Sequence, residues 1–75
     1  VQAGVPDLLL FDSPPGRPES PGTALEMKRQ GGRKGQVSKE QRKWLRALEE
    51  RGWVSLVAFG ASDALEQLRD LGYPV

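Results

Sequence analysis

The chain has 75 residues, a formal net charge of +1, 37% hydrophobic and 28% charged residues, which fits one small globular unit and neither a disordered nor a membrane-spanning one. With no histidine and no cysteine, it is without an imidazole base, a Ser-His or Cys-His triad, a zinc site of thiolates or imidazoles, or a disulfide. Chemistry falls to carboxylates, lysine, hydroxyls and a hard oxygen-bound cation such as magnesium or manganese.

Asp7 to Phe11 (DLLLF) reads as a short apolar strand, entered through the turn-forming Gly4 and through Pro6, which favours extended backbone. Asp12 to Gly22 (DSPPGRPESPG) carries four of the six prolines and no core-forming residue, so an exposed, mobile hairpin loop is expected. Thr23 to Lys28 (TALEMK) alternates as a strand, with Leu25 and Met27 on one face and Ala24, Glu26 and Lys28 on the other. Gly31, Gly32 and Gly35 follow in a basic loop; without a GxxxxGK[ST] pattern they do not mark a nucleotide cradle.

Ser38 followed by Gln41 fits a capping box, Leu45 and Leu48 continue one face, and Gly52 is a stop signal, which predicts a helix over Lys39 to Arg51. Trp53 to Phe59 (WVSLVAF) is rich in β-branched and aromatic residues and reads as a third strand. A last helix is expected after Ser62 or Asp63, with Leu65, Leu68 and Leu71 buried, ending at Gly72 and Pro74. The order is β-β-α-β-α without internal repeat. It predicts an α/β fold, a small mixed β-sheet flanked by helices, in which the first helix crosses over to the third strand and the last covers an edge. Trp44 and Trp53 flank the helix and strand that must bury each other, which assigns them to packing ahead of base stacking.

An antiparallel hairpin closed by the Pro-rich loop brings the start of the first strand and the end of the second to one open end. Period-two alternation puts Glu26 and Lys28 on one face, and a register pairing position 7 with 26 or 28 adds Asp7 to it. Two carboxylates and an ammonium there suit phosphodiester hydrolysis: carboxylates ligate a hard cation, and lysine positions a water or stabilises developing charge. An isolated E-x-K is ordinarily a solvent-facing pair; Gly-x-Pro-Asp on the neighbouring strand weakens that reading. The stretch Lys28 to Arg46 is +7 and the remainder −6, a separation expected of a polyanion binder, though a basic helix face is as readily a solvated one.

These residues resemble the virus-type replication-repair nuclease family, VRR-NUC, a branch of the PD-(D/E)XK nucleases. The matching text is Gly4-Val5-Pro6-Asp7 (GVPD), Leu25-Glu26-Met27-Lys28 (LEMK), the glycine-rich loop to Val37-Ser38 (GGRKGQVS), Gln41, and the run of Leu48, Gly52 and Val54 to Val57. The resemblance spans roughly residues 4 to 58 and implies a restriction-endonuclease-like core. It implies that Asp7 and Glu26 ligate Mg2+ or Mn2+, with the Met27 backbone carbonyl as a further ligand, and that Lys28 is the catalytic lysine. Gln41 corresponds to a helix glutamine that helps hold the nucleophile or a phosphate, a role compatible with closing the capping box. Arg29, Arg33, Lys34, Lys39, Arg42 and Lys43 are expected to contact DNA phosphates near the scissile bond, without reading base sequence.

Two departures from the family pattern stand out. Its members begin with a helix that brings another acidic residue towards the metal, and this chain begins after that point; a start without methionine at Val1 is expected of a piece of a longer protein. The loop at residues 12–22 is also longer and richer in proline than the family's turn. The expected function over residues 1–75, taken as a single nuclease domain, is metal-dependent endonuclease action on branched, flap or junction DNA in replication and repair. A homodimer is expected, with DNA as partner, no membrane association and no organic cofactor, in the cytoplasm of a bacterial or phage-infected cell or in a nucleus. Two other readings stay open: a non-catalytic nuclease-like DNA-binding module of a larger protein, and an interaction domain whose basic stretch binds an acidic protein.

Overall fold

The computed structural model describes residues 3–75, apart from the side chain of Lys34. The elements are β1 (Leu8–Leu10), β2 (Thr23–Lys28), a 3-10 turn at Lys34–Gln36, α1 (Lys39–Glu50), β3 (Val54–Phe59) and α2 (Ala61–Asp70). They form a mixed sheet in the order β1-β2-β3, with β1 antiparallel and β3 parallel to the central strand. The strand carrying Glu26 and Lys28 is therefore paired on both sides. This small mixed α/β sheet is the expected one.

Register decides what each face does. Leu25 pairs with Leu56 and Met27 with Ala58, and this face packs on α2: Leu25, Ala58, Ala64 and Leu68 form the core, flanked by Leu10, Met27, Leu56 and Tyr73. The opposite face carries Ala24, Glu26 and Lys28 beside Ser55, Val57 and Phe59 and packs on α1, tied by the Ser55 hydroxyl donating to the Leu45 carbonyl at 2.9 Å. The last helix thus covers a face of the sheet, not the expected edge. Its buried stripe also differs from the expected one. Ala64 and Leu68 are buried, Leu71 is half-buried, and Leu65, about 100° around the helix from Ala64, is 39% exposed. A small residue at 64 lets the helix approach Ala58 closely, so contact distance and not side-chain size selects the inward face.

Element ends differ in physically simple ways. β1 is shorter than predicted because at Asp7 the side chain, not the backbone, takes the next β2 amide: Asp7 Oδ2 accepts from Met27 N at 2.7 Å. α2 begins directly after Gly60, whose φ of 96° turns the chain out of β3. Ser62 and Asp63 lie inside its first turn, and Asp63 accepts from the Phe59 amide at 2.8 Å. The proline-rich loop, expected exposed and mobile, buries Pro14 and Ser20. It is tied to the C-terminal segment by Gly16 N donating to the Leu71 carbonyl (2.7 Å) and by the Tyr73 hydroxyl donating to the Asp12 carbonyl (2.7 Å). Trp53 meets Phe11 edge to face, with centroids 5.4 Å apart. Trp44 is half-buried.

Gly4 shows why a glycine opens the GVPD segment. Its φ is +86°, and a Cβ there would lie 2.5 Å from the Glu40 backbone carbonyl carbon and 2.8 Å from the Gln41 amide nitrogen. The segment leading to Asp7 thus lies directly on the first turn of α1. Gly4→Ala should cost about 2 kcal/mol or more, from the left-handed backbone and the clash together, which lowers the melting temperature by roughly 8 °C or more in a domain of this size. A thermal melt within about 2 °C of wild type would show that the contact is unimportant.

Candidate active site

Asp7 just before β1, Glu26 and Lys28 on β2 and Gln41 on α1 meet on the α1 face of the sheet. Leu8 pairs with Leu25, so the next step of the same register sets Asp7 opposite Glu26, one of the two pairings that alternation allows. Beyond the end of β1, Asp7 holds the Met27 N–H. Because the N–H and C=O of one residue leave an antiparallel strand on the same side, the Met27 carbonyl also points to the side where β1 has ended.

Gln41 ties helix to strand. Its Oε1 accepts from Ser38 N (2.8 Å) and from Lys28 Nζ (2.9 Å), while its Nε2 donates to Glu26 Oε2 (2.9 Å). Ser38 Oγ accepts in turn from Gln41 N at 3.1 Å, so the capping box is complete. The two roles foreseen for Gln41, helix cap and site residue, are one arrangement. Donors surround its oxygen and a carboxylate faces its nitrogen, which fixes the amide orientation. The amide then conveys the helix cap to the acid and to the lysine, with Lys28 Nζ 3.8 Å from Glu26 Oε2.

Glu26 is only 3% exposed, and its second oxygen, Oε1, is buried without a hydrogen-bond partner. Burial raises the pKa of its carboxyl above the ordinary value near 4.5, the neighbouring Asp7 charge raises it further, and Lys28 opposes both. An orphaned carboxylate oxygen costs stability unless something fills its place. The carboxylates of Glu26 and Asp7, with the Met27 carbonyl directed to the side where Asp7 lies, offer oxygen donors that suit a hard divalent cation. Among the described residues no group of three or more His, Cys, Asp or Glu comes together. The pair of Asp7 and Glu26 is within the one or two carboxylates that magnesium takes beside water and substrate oxygens.

The raised pKa carries a stability prediction. An acid whose folded-state pKa lies above its unfolded value releases its proton later in the folded chain, so stability falls as pH climbs from the unfolded value through the folded one. Ionised Glu26 is thus a cost at neutral pH. Glu26→Gln should be more stable than wild type at pH 7, with the gap closing towards pH 4, in urea unfolding of the two proteins side by side. Added Mg2+ should raise the stability of wild type and not of the variant; equal responses would contradict a cation at Glu26.

The basic residues expected at DNA are exposed: Arg29 where β2 ends, Arg33 in the glycine-containing loop, and Lys39, Arg42 and Lys43 on α1. The side chain of Lys34 lies outside the described residues. Arg46, which closes the basic run but carries no expected role, sits four residues from Arg42, and both line one cavity, a spacing legible in the helix period. Ser38, read only as a cap, acts on the site through Gln41.

Comparison with known proteins finds that the family model of the VRR-NUC domain matches residues 1–62. A solved structure described as a VRR_NUC domain protein superposes with a TM-score of 0.74 at 22% sequence identity, over 95% of this chain and 54% of that one. At that identity the likeness concerns the fold, and this chain spans about half the length of the solved one. No curated protein matches the chain.

Proposed function

Because this chain belongs to the VRR-NUC domain family, a family of nuclease-like domains, we propose that it is a metal-dependent DNA endonuclease that hydrolyses phosphodiester bonds at branched, flap or junction DNA. The observation that carries this reading is the buried, unpartnered Oε1 of Glu26 beside Asp7, in a cluster that also holds Lys28 and Gln41. Mg2+ or Mn2+ held by Asp7, Glu26 and the Met27 carbonyl would supply polarisation of a phosphoryl oxygen and acidification of a bound water.

The chain's own residues have distinct tasks in this reading. Lys28, anchored by Gln41, offers its ammonium to the attacking water or to the charge that develops on the phosphoryl oxygens. Gln41 fixes the unreactive oxygen of Glu26, leaving Oε1 directed to the site, and holds Lys28 at a set distance from it. Asp7 uses one oxygen on the Met27 amide, which orients its carboxylate at the open end of the hairpin. Exposed Arg29, Lys39, Arg42 and Lys43 draw the phosphate backbone to this face.

A second reading, a module that binds DNA without cutting it inside a larger protein, draws on the absence, among the described residues, of a third acid beside Asp7 and Glu26. Cleavage of labelled duplex, flapped and four-way-junction DNA in Mg2+ or Mn2+ separates the two. Cutting that stops with EDTA and favours flapped or branched forms supports the endonuclease; retention of every substrate without a cut product supports the binding module.

A further inference from the structure

Beside the Glu26 and Lys28 strand, α1, β3 and Val37 border an open cavity of about 370 Å³. Its floor is apolar, formed by Val37, Leu45, Val57 and Phe59, all buried or half-buried. Arg42 and Arg46 line it from α1, both exposed and neither in an ion pair among the described residues. Glu49 lies at the end further along the helix, so an anionic group is favoured towards Arg42.

Position ties this cavity to the candidate active site. Val57 is the register partner of Glu26 and Phe59 that of Lys28, so the floor lies on the same sheet face, one strand spacing of about 4.8 Å away. Arg42 directly follows Gln41 along the chain. A DNA strand whose scissile phosphate rests at Lys28 has the cavity within reach of an adjoining nucleotide.

Phosphate binding alone needs cations and has no use for an apolar floor with an aromatic ring. A paired base is stacked inside the duplex and cannot enter, whereas an unpaired nucleotide can turn its base onto Phe59 while its phosphate stays with the arginines. We infer that this cavity receives the base of one unpaired nucleotide adjoining a duplex, a binding site beside the cleavage site for the flapped or branched DNA already proposed as substrate. The inference rests on the DNA-cleaving reading for its biological meaning and on the cavity for its physics.

The test is fluorescence anisotropy with labelled DNA in EDTA, where no cleavage occurs. A duplex with a short single-strand flap should bind about tenfold more tightly than a blunt duplex of equal length. An abasic residue at the first unpaired position, which keeps the phosphate and removes the base, should erase that difference. Arg42→Gln combined with Arg46→Gln, both at exposed positions, should weaken the flapped complex. Equal affinity for flap and blunt duplex, or a preference that survives the abasic substitution, overturns the inference. The assay is independent of catalysis: an abasic-sensitive preference in a protein that cuts nothing in Mg2+ keeps the cavity and removes the nuclease reading. Cutting of blunt duplex without any flap preference does the reverse.

Discussion

Lys28→Met should lower the rate of DNA hydrolysis by roughly 10²- to 10³-fold, the scale of removing one preorganised charged or hydrogen-bonding group from a developing oxyanion. The fold should survive, because Gln41 keeps its bonds to Ser38 and Glu26 and methionine keeps most of the side chain's apolar length. The substitution has a second consequence. Lys28 is the neighbour that holds the Glu26 pKa down against burial and Asp7, so without it the carboxyl binds its proton to higher pH. Part of the lost rate should then return as pH rises, while the part due to the missing ammonium stays lost. Single-turnover rates between pH 6 and 9 separate the two. A variant that cuts at the wild-type rate at pH 7 would remove Lys28 from the mechanism.

Leu25→Ala should have the largest effect on stability, about 2 to 5 kcal/mol. Leu25 is 1% exposed and packs among Ala58, Ala64 and Leu68, two of them too small to close the space left behind. A domain of 75 residues has roughly 4 to 11 kcal/mol of stability in total, so one side chain carries a large share of it. Leu65→Ala, at 39% exposure, is the matched control and should cost less than about 1 kcal/mol. Urea midpoints read both, at an unchanged slope. Equal losses at the two positions would mean that the core is not where the sheet and α2 meet. Leu25 also neighbours Glu26 along β2, so the same residue that anchors the strand in the core holds the acid on its opposite face.

Much of this fold was legible in the chain because local signals and tertiary demands agree. The TALEMK alternation gave β2 its exact ends and both its faces, since a central strand has a core on one side and the site on the other. Ser38 and Gln41 fixed the start of α1, since a capping box is a local hydrogen-bond pattern. Asp7 was placed with Glu26 and Lys28 by the open end of the hairpin and by strand parity, which left 26 or 28 as its partner, since a one-residue slip would have sent it to the other face. The last helix was harder: Ser62 and Asp63 are good cap residues, but a glycine at positive φ started the helix sooner, and Ala64 outcompeted Leu65 for the core through closeness to Ala58. The proline-rich loop is exposed along most of its length, as expected, but its anchoring was not legible because Leu71 and Tyr73 lie 55 and 61 residues from their partners Gly16 and Asp12. No local pattern announces such contacts. The cavity over Phe59 was hidden for the same reason, since it exists only once α1 lies across β3.

In the proposed endonuclease, Glu26 serves the divalent cation and the cleavage of DNA through its free buried oxygen. The measurement that tests it most directly is cleavage of an end-labelled flapped duplex in Mg2+ by wild type and Glu26→Gln at equal concentration, with circular dichroism to show that both are folded. Cutting by wild type that EDTA abolishes is expected, and none by the variant, although the variant is the more stable protein at pH 7 without the cation. Undiminished cutting by folded Glu26→Gln would contradict it.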